Sequence, residues 1–232
     1  MIHALLRTGY VRTMRGARAL ARETGILKRL DGAQSRRARW LRSLFAIYDF
    51  DDLARLDLPW WTFDAVEAVE AYLREHPQAR VFEWGSGAST LWLSRRAGEV
   101  TSVEHDPHWG EMVSGRLAER QNVWLRTVPA QAEGVVPSAK PGFEGQYFDD
   151  YVAAIREEEG LFDLIVIDGR AREACLAEAM SRLAPGGVIL LDDFKRGRYQ
   201  VAARESGLST RRLDGLAVCL PLPDSTALLS RG

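Results

Sequence analysis

The sequence predicts an α/β fold: a doubly wound, mostly parallel sheet of seven strands with helices on both faces, preceded by an N-terminal helical extension. Three observations predict it. Short β-rich runs alternate with helical patterns from Val81 onward, the rhythm of a parallel sheet with crossover helices. Two of the runs, Phe162–Ile167 and Val188–Leu191, are continuously apolar, as strands covered on both faces must be. The first run ends in an acid and two glycines spaced by one residue, Glu83-Trp84-Gly85-Ser86-Gly87, the parts of a nucleotide-type binding loop.

Composition bounds the rest. A chain of 232 residues with 46% hydrophobic residues reads as one sizeable soluble domain plus an extension. A formal net charge of −1 argues against a general nucleic-acid binder. Cys175 and Cys219 lie far apart, with neither a disulfide framework nor zinc spacing, so buried thiols in a reducing compartment are expected. No run approaches the ~20 apolar residues of a membrane span. Met1–Leu6 is apolar, but Arg7, Arg12, Arg15 and Arg18 follow too soon for a signal-peptide core.

Residues 1–58 form the expected extension and 59–232 the main domain. Residues 1–46 are strongly basic, with Arg7, Arg12, Arg15, Arg18, Arg22, Lys28, Arg29, Arg36, Arg37, Arg39 and Arg42 against Glu23 and Asp31. Apolar positions among them suggest striped helices. One reading is peripheral contact with anionic lipid; the other is a basic extension packed on the domain. The charge then flips at Asp49, Asp51, Asp52 and Asp57. Pro59 ends any helix before it, and Thr62 is the expected N-cap of a helix running to His76-Pro77. The tandem Trp60-Trp61 suits either the core or a wall of the site.

Strands at Val81-Phe82, Val100–Val103 and Val123–Val128 alternate with helices at Ser89–Arg96 and Trp109–Arg120. Pro129–Gly145, rich in Pro and Gly, reads as a long loop of the kind that serves as a lid. A helix over Tyr147–Glu158 precedes the strand ending at Asp168. A helix over Ala171–Leu183 stops at Pro185-Gly186-Gly187, before the strand ending at Asp192-Asp193. Arg198–Ser206 is a weaker helix, and Ser209–Leu213 and Thr226–Leu229 are the last strands.

Glu83, Glu104, Asp168 and the pair Asp192-Asp193 thus fall at the carboxyl ends of strands, the ligand-binding edge of an open α/β sheet. Glu104 lies about 20 residues beyond Glu83, where an acid receives ribose hydroxyls. Gly85-Ser86-Gly87-Ala88-Ser89-Thr90 has Thr where the dinucleotide fingerprint has its third glycine. The pattern suits a ligand with an adenosine and a charged amino-acid end but no phosphate.

With those residues in view, the chain resembles a class I S-adenosylmethionine-dependent methyltransferase, a Rossmann-like fold. Glu83–Gly87 resembles that superfamily's first motif, with Glu104 at its ribose-binding position. Phe162–Asp168 and Leu183-Ala184-Pro185-Gly186-Gly187-Val188 resemble later motifs, and the likeness spans residues 60–232. Ser89 departs from the third glycine that many members carry. The resemblance implies cofactor contacts from Gly85, Ser86, Gly87, Glu104 and His105, with Glu83 shaping the loop, whose amides face the cofactor's carboxylate.

Asp168, Asp192 and Asp193 also resemble the metal ligands of cation-dependent O-methyltransferases of the catechol and macrocin types. There Mg²⁺ would bind acceptor oxygens. The alternative is that Asp168 shapes the site or acts as base while Asp192-Asp193 caps the next segment, with Arg170 available to pair with these acids. Asp168 and His105 are the candidate catalytic groups; Tyr147, Tyr151, Lys195, Arg196 and Arg198 are weaker candidates for facing substrate. The expected activity is methyl transfer to a hydroxyl of a sugar or other small polar metabolite, such as a glycan or natural product. The expected location is cytoplasmic, or peripheral at the membrane. Homodimerisation is one expectation for assembly. A non-catalytic cofactor-binding scaffold and a same-fold aminopropyl transferase are the alternatives.

Overall fold

A computed structural model of the chain describes residues 2–232, with side chains from residue 9 onward; the side chains of Met1–Leu6 and Arg7 lie outside the described residues. Four helices come first: α1 (Ile2–Glu23), α2 (Ile26–Asp31), α3 (Arg36–Leu44) and α4 (Phe50–Leu56). The α/β part follows as α5 (Phe63–Glu75), β1 (Arg80–Trp84), α6 (Ala88–Ser94), β2 (Glu99–Glu104), α7 (Pro107–Leu117) and β3 (Val123–Thr127). Then come α8 (Asp149–Ala153), β4 (Phe162–Ile167), α9 (Arg172–Arg182), β5 (Leu183–Leu191), α10 (Gly197–Glu205), β6 (Ser209–Gly215) and β7 (Asp224–Ser230).

The strands form one seven-stranded sheet in the order β3-β2-β1-β4-β5-β7-β6. The pairs among β1 to β5 are parallel, and β7 runs antiparallel to both β5 and β6. The order reverses between β1 and β4, which opens a crevice at their carboxyl ends. Alternate residues feed opposite faces. Phe82, Trp84, Ile165, Ile167, Ile189 and Leu191 join a core with α8, α9 and α10. Val81, Leu164, Val166 and Leu190 join another with Val66, Val69 and Leu73 of α5 and Trp92 and Leu93 of α6. Thr62 caps α5 as its spacing predicts, accepting the Ala65 N–H at 3.3 Å.

Two element boundaries differ from the sequence reading. The helix expected over Tyr147–Glu158 starts only at Asp149 and tightens to a 3₁₀ turn at Ala154–Glu157. Tyr147 instead exchanges backbone hydrogen bonds with Gln131 at 2.8 and 2.9 Å. The Asp149 carboxylate also takes the N–H groups of Val135 and Val136 at 3.1 Å, so the long loop is fastened at its base. β5 begins at Leu183 rather than Val188; Leu183 pairs with Phe162, and Pro185-Gly186-Gly187 sits in a register shift within the strand.

The extension shares a core with the domain. Ala46, Ile47, Leu53, Leu58 and Phe63 pack on Val218 and Cys219, while Trp40 Nε1 donates to the Leu220 carbonyl at 2.8 Å. The charge flip has a structural reason. Buried Arg42 donates to Asp52 at 2.7 and 3.0 Å and to Asp31 at 2.7 Å, and Arg18 pairs with Asp49 and Asp52. Against the cost of their burial, the Arg42 and Arg55 guanidinium groups hold the Asp31 and Asp52 carboxyls below the usual range, with Arg18 adding to the effect at Asp52. Both cysteines are buried free thiols. Among the described residues no helix is long and apolar enough to cross a membrane.

Candidate active site

A cavity of about 670 Å³ opens at the carboxyl edge of the sheet. Its floor is the turn after β1, which the sequence sets by glycine. Gly85 has φ +98°, and a Cβ there would lie 2.7 Å from the backbone of Gly169 at the end of β4. Only glycine lets the two turns touch. Gly87 differs: its backbone is extended, and a Cβ would meet only Trp109, at 3.9 Å. The fold does not require that glycine; leaving the space open serves whatever occupies the cavity.

The two acids on the glycine-loop side have separate jobs. Glu83 shares the inward face of β1 with Val81, so it points beneath α6. It is fully buried and accepts hydrogen bonds from the hydroxyls of Ser89, Thr90 and Ser102. Burial pushes its carboxyl up to about 7, against those hydroxyls. It does not line the cavity, so it holds the loop rather than touching a ligand, and Ser89 is its partner. Glu104 does line the cavity. Its carboxylate takes the N–H groups of Ser86, His105 and Asp106 at 2.8–3.0 Å and the Ser86 hydroxyl at 3.2 Å. His105 lies with Glu104, Nδ1 at 2.6 Å from Oε1, and its ring sits 5.5 Å from that of Phe143. It therefore belongs to the β2 end of the cavity, two strands from Asp168, which separates the two candidate catalytic groups.

Asp168, Asp192 and Asp193 do converge at the ends of β4 and β5, around a residue that the sequence reading passed over. Arg172 in the first turn of α9 donates to Asp168 Oδ1 at 2.8 Å and lies 3.4 Å from Asp193 and 3.8 Å from Asp192. Its Nε also donates to the Gly169 carbonyl at 3.2 Å. Arg172 is buried, and the three carboxylates raise its pKa further against desolvation. Burial pushes Asp168 up to about 6, with Arg172 opposing. Burial and the Asp168 charge push Asp192 well up, while Thr226 donates to it at 2.8 Å.

This set does not fit a divalent cation, which corrects the expected Mg²⁺ site. The space among the carboxylates already holds a guanidinium, and a second cation there would be repelled. Among the described residues no group of three or more acidic, histidine or cysteine side chains is arranged to hold a metal ion. The pairing anticipated for Arg170 is made by Arg172, which opens α9 and faces Asp168, while the Arg170 guanidinium lies over Phe143.

The remaining walls come from outside the expected motifs. Trp61 is core, edge-on to Trp92 at 5.8 Å, whereas Trp60 faces the cavity with Tyr48, 5.0 Å away. Phe50 of α4 and Trp109 of α7 form another wall, and the long loop supplies Lys140 and Phe143. Trp109 Nε1 donates to the Ser86 carbonyl at 2.8 Å, bracing the glycine loop. Tyr147 and Tyr151 do not line the cavity; Tyr151 is buried against Gly169. Nor do Lys195, Arg196 and Arg198, which bond Pro223, Asp193 and Glu173.

A cavity whose floor is an open glycine loop, with Glu104 on one wall and aromatic rings on others, fits an adenosine-bearing cofactor. Residues 82–194 match the sequence model of a family described as a methyltransferase domain. Among solved structures, the chain is similar to a methyltransferase-like protein from Silicibacter pomeroyi, with 24% identity over 76% of this chain and 91% of that one and a TM-score of 0.51. It is also similar to an rRNA methylase from Streptococcus thermophilus, with 12% identity over 72% of this chain and 95% of that one and a TM-score of 0.50. No curated protein matches the chain. Those structures share the fold, and residues 82–194, which carry the site-bearing strands, match a methyltransferase domain.

Proposed function

We propose that the chain transfers the methyl group of S-adenosylmethionine to a hydroxyl of a sugar or another small polar metabolite, without a divalent cation. The supporting observation is the Asp168–Arg172–Asp192 arrangement at the cavity wall beside the glycine loop. When bound, the cofactor supplies an electrophilic methyl group on a sulfonium.

The chain's part is to bind, orient and take a proton. Glu104 and the glycine loop fix the nucleoside end. The Asp168 side chain is 20% exposed toward the cavity and rests on Arg172. With its pKa raised to about 6 it is ionised at neutral pH and still basic enough to accept the acceptor hydroxyl's proton. Arg172 keeps the neighbouring carboxylates in place and offsets their mutual repulsion. Trp60 and Tyr48 present aromatic surface, and Asp193 an acceptor, to a polar ring. The 670 Å³ of cavity accommodates a small acceptor beside the cofactor.

The test is a methyl-transfer assay in EDTA that follows S-adenosylhomocysteine release over a panel of sugars, glycosides and amines. Turnover is expected with hydroxyl acceptors, falling at least about a hundredfold in Asp168→Asn with cofactor affinity retained. Turnover only with amines, or only after Mg²⁺ is added, would contradict the proposal.

A further inference from the structure

The N-terminal extension holds a second cavity, of about 300 Å³, that shares no lining residue with the active-site cavity. Four helices build it. Arg18 and Arg22 come from α1, Lys28 and Asp31 from α2, Arg42 from α3, and Asp52 and Arg55 from α4. Helix α4 divides the two cavities: Phe50 and Leu53 line one, Asp52 and Arg55 the other. Among the described residues Leu27 is the one apolar side chain of the wall, so an apolar ligand would gain little by burial here.

The wall carries five cations against two acids. Its inner cations are compensated. Buried Arg42 pairs with Asp31 and Asp52, and Arg18 pairs with Asp52 and with Asp49, which lies outside the wall. Arg55 leans on the same two acids through Nη2 alone, at 2.9 and 3.2 Å. Arg22 and Lys28 are exposed, and among the described residues no carboxylate pairs with either. With Asp49 included, two positive charges stay unbalanced. Cations gathered from separate helices repel one another, and a bound anion relieves that repulsion. Arg12 and Arg15 of α1 are exposed too, yet they line neither cavity. The donors select the anion. Two guanidinium groups and an ammonium reach the cavity from three helices, and so from different directions. A carboxylate offers two oxygens in one plane, whereas a tetrahedral phosphate has an oxygen for each helix. Its charge of about −2 matches the imbalance.

We propose that this four-helix cavity is a binding site for a phosphate group, carried by a soluble metabolite or by a phospholipid headgroup. Arg22, Lys28 and Arg55 are its donors, and Arg18 and Arg42, fixed by their acids, are its positive floor. The site is separate from the methyl-transfer cavity and does not depend on that reading.

The test is titration calorimetry of the full chain with pyrophosphate at about 0.15 M salt, beside flotation with phosphatidylcholine vesicles that contain phosphatidic acid. The wild-type chain is expected to bind pyrophosphate saturably. Arg22→Gln/Lys28→Gln should weaken that binding at least about tenfold. Arg12→Gln/Arg15→Gln removes the same charge from outside the cavity and should keep the affinity within about twofold. Both pairs are exposed, so each double variant should melt as the wild type does. Flotation of the wild type that pyrophosphate reverses would identify a lipid headgroup as the source of the phosphate; pyrophosphate binding without flotation would identify a soluble molecule. The proposal is overturned if the wild-type chain does not bind pyrophosphate, if Arg22→Gln/Lys28→Gln keeps full affinity, or if the two double variants weaken alike.

Discussion

The two ends of the cavity stabilise buried carboxylates in opposite ways. Beneath the glycine loop, Glu83 is surrounded by neutral hydroxyls, and burial lifts its pKa to about 7. At the β4–β5 end, three carboxylates share one guanidinium, Arg172, which opposes the burial of Asp168. A group held by hydroxyls can give up its charge without losing its partners, so the Glu83 end is a structural anchor that tolerates protonation. At the Arg172 end burial still lifts Asp168 to about 6 and Asp192 well up against the guanidinium, so that end is suited to accept a proton and release it. The difference also explains why the second end has no room for a metal ion: the fold has built its cation into α9.

The largest effect expected from breaking this comparison is at Arg172. Arg172→Met leaves the carboxylates uncompensated and should cost about 3–5 kcal/mol in denaturant unfolding. It should also create a site for Mn²⁺, with calorimetry and electron paramagnetic resonance detecting binding in the variant and none in the wild type. Wild-type Mn²⁺ binding lost in Asp192→Asn would show instead that the acids hold a metal despite Arg172. Next is the turn. Gly85→Ala forces a Cβ into the Gly169 backbone at φ +98° and should cost about 3 kcal/mol. Gly87→Ala should leave the melting temperature nearly unchanged and weaken S-adenosylhomocysteine binding about tenfold or more. Equal stability losses at the two glycines would contradict their separate roles.

Glu83 gives the pH test. Its pKa is raised on folding, so its folded state binds the extra proton, and its contribution is most favourable below the unfolded value. Stability is then lost as pH rises from about 4.5 to about 7, by roughly 3 kcal/mol in all. Glu83→Gln should flatten that slope in urea melts taken across this range; an unchanged slope would place the titration elsewhere. The smallest effect concerns the basic extension, where Arg12, Arg15, Arg22, Lys28 and Arg29 remain exposed. Charge reversal at three of these should reduce flotation with anionic vesicles only severalfold, at low salt. Equal flotation would leave the extension without a membrane role.

Most of the fold is legible in the sequence because its signals are local. Continuous apolar runs mark β4 and β5, Thr62 caps α5, and the glycine turn follows β1 directly. The strand-end acids are legible for the same reason, since strand ends in a parallel sheet share one edge. What sequence reading misses is assembled across distance. Arg172 looks like an ordinary helix-start residue until β4 and β5 bring three carboxylates to it. Trp109, Phe143 and Tyr48 lie in a helix, a loop and an interhelical turn with no motif, and chain folding alone brings them to one cavity. Glu83 is legible: the motif implies a residue that shapes the loop, and Glu83 accepts the hydroxyls of Ser89 and Thr90 beneath α6.

The central claim is that this cavity binds S-adenosylmethionine without a metal ion. Calorimetric titration of the full chain with S-adenosylmethionine and with S-adenosylhomocysteine, in EDTA and again in Mg²⁺, tests it most directly. Saturable binding of both ligands with the same affinity in either buffer is the expected result. No binding of either at millimolar concentration, or binding only when Mg²⁺ is present, would contradict it.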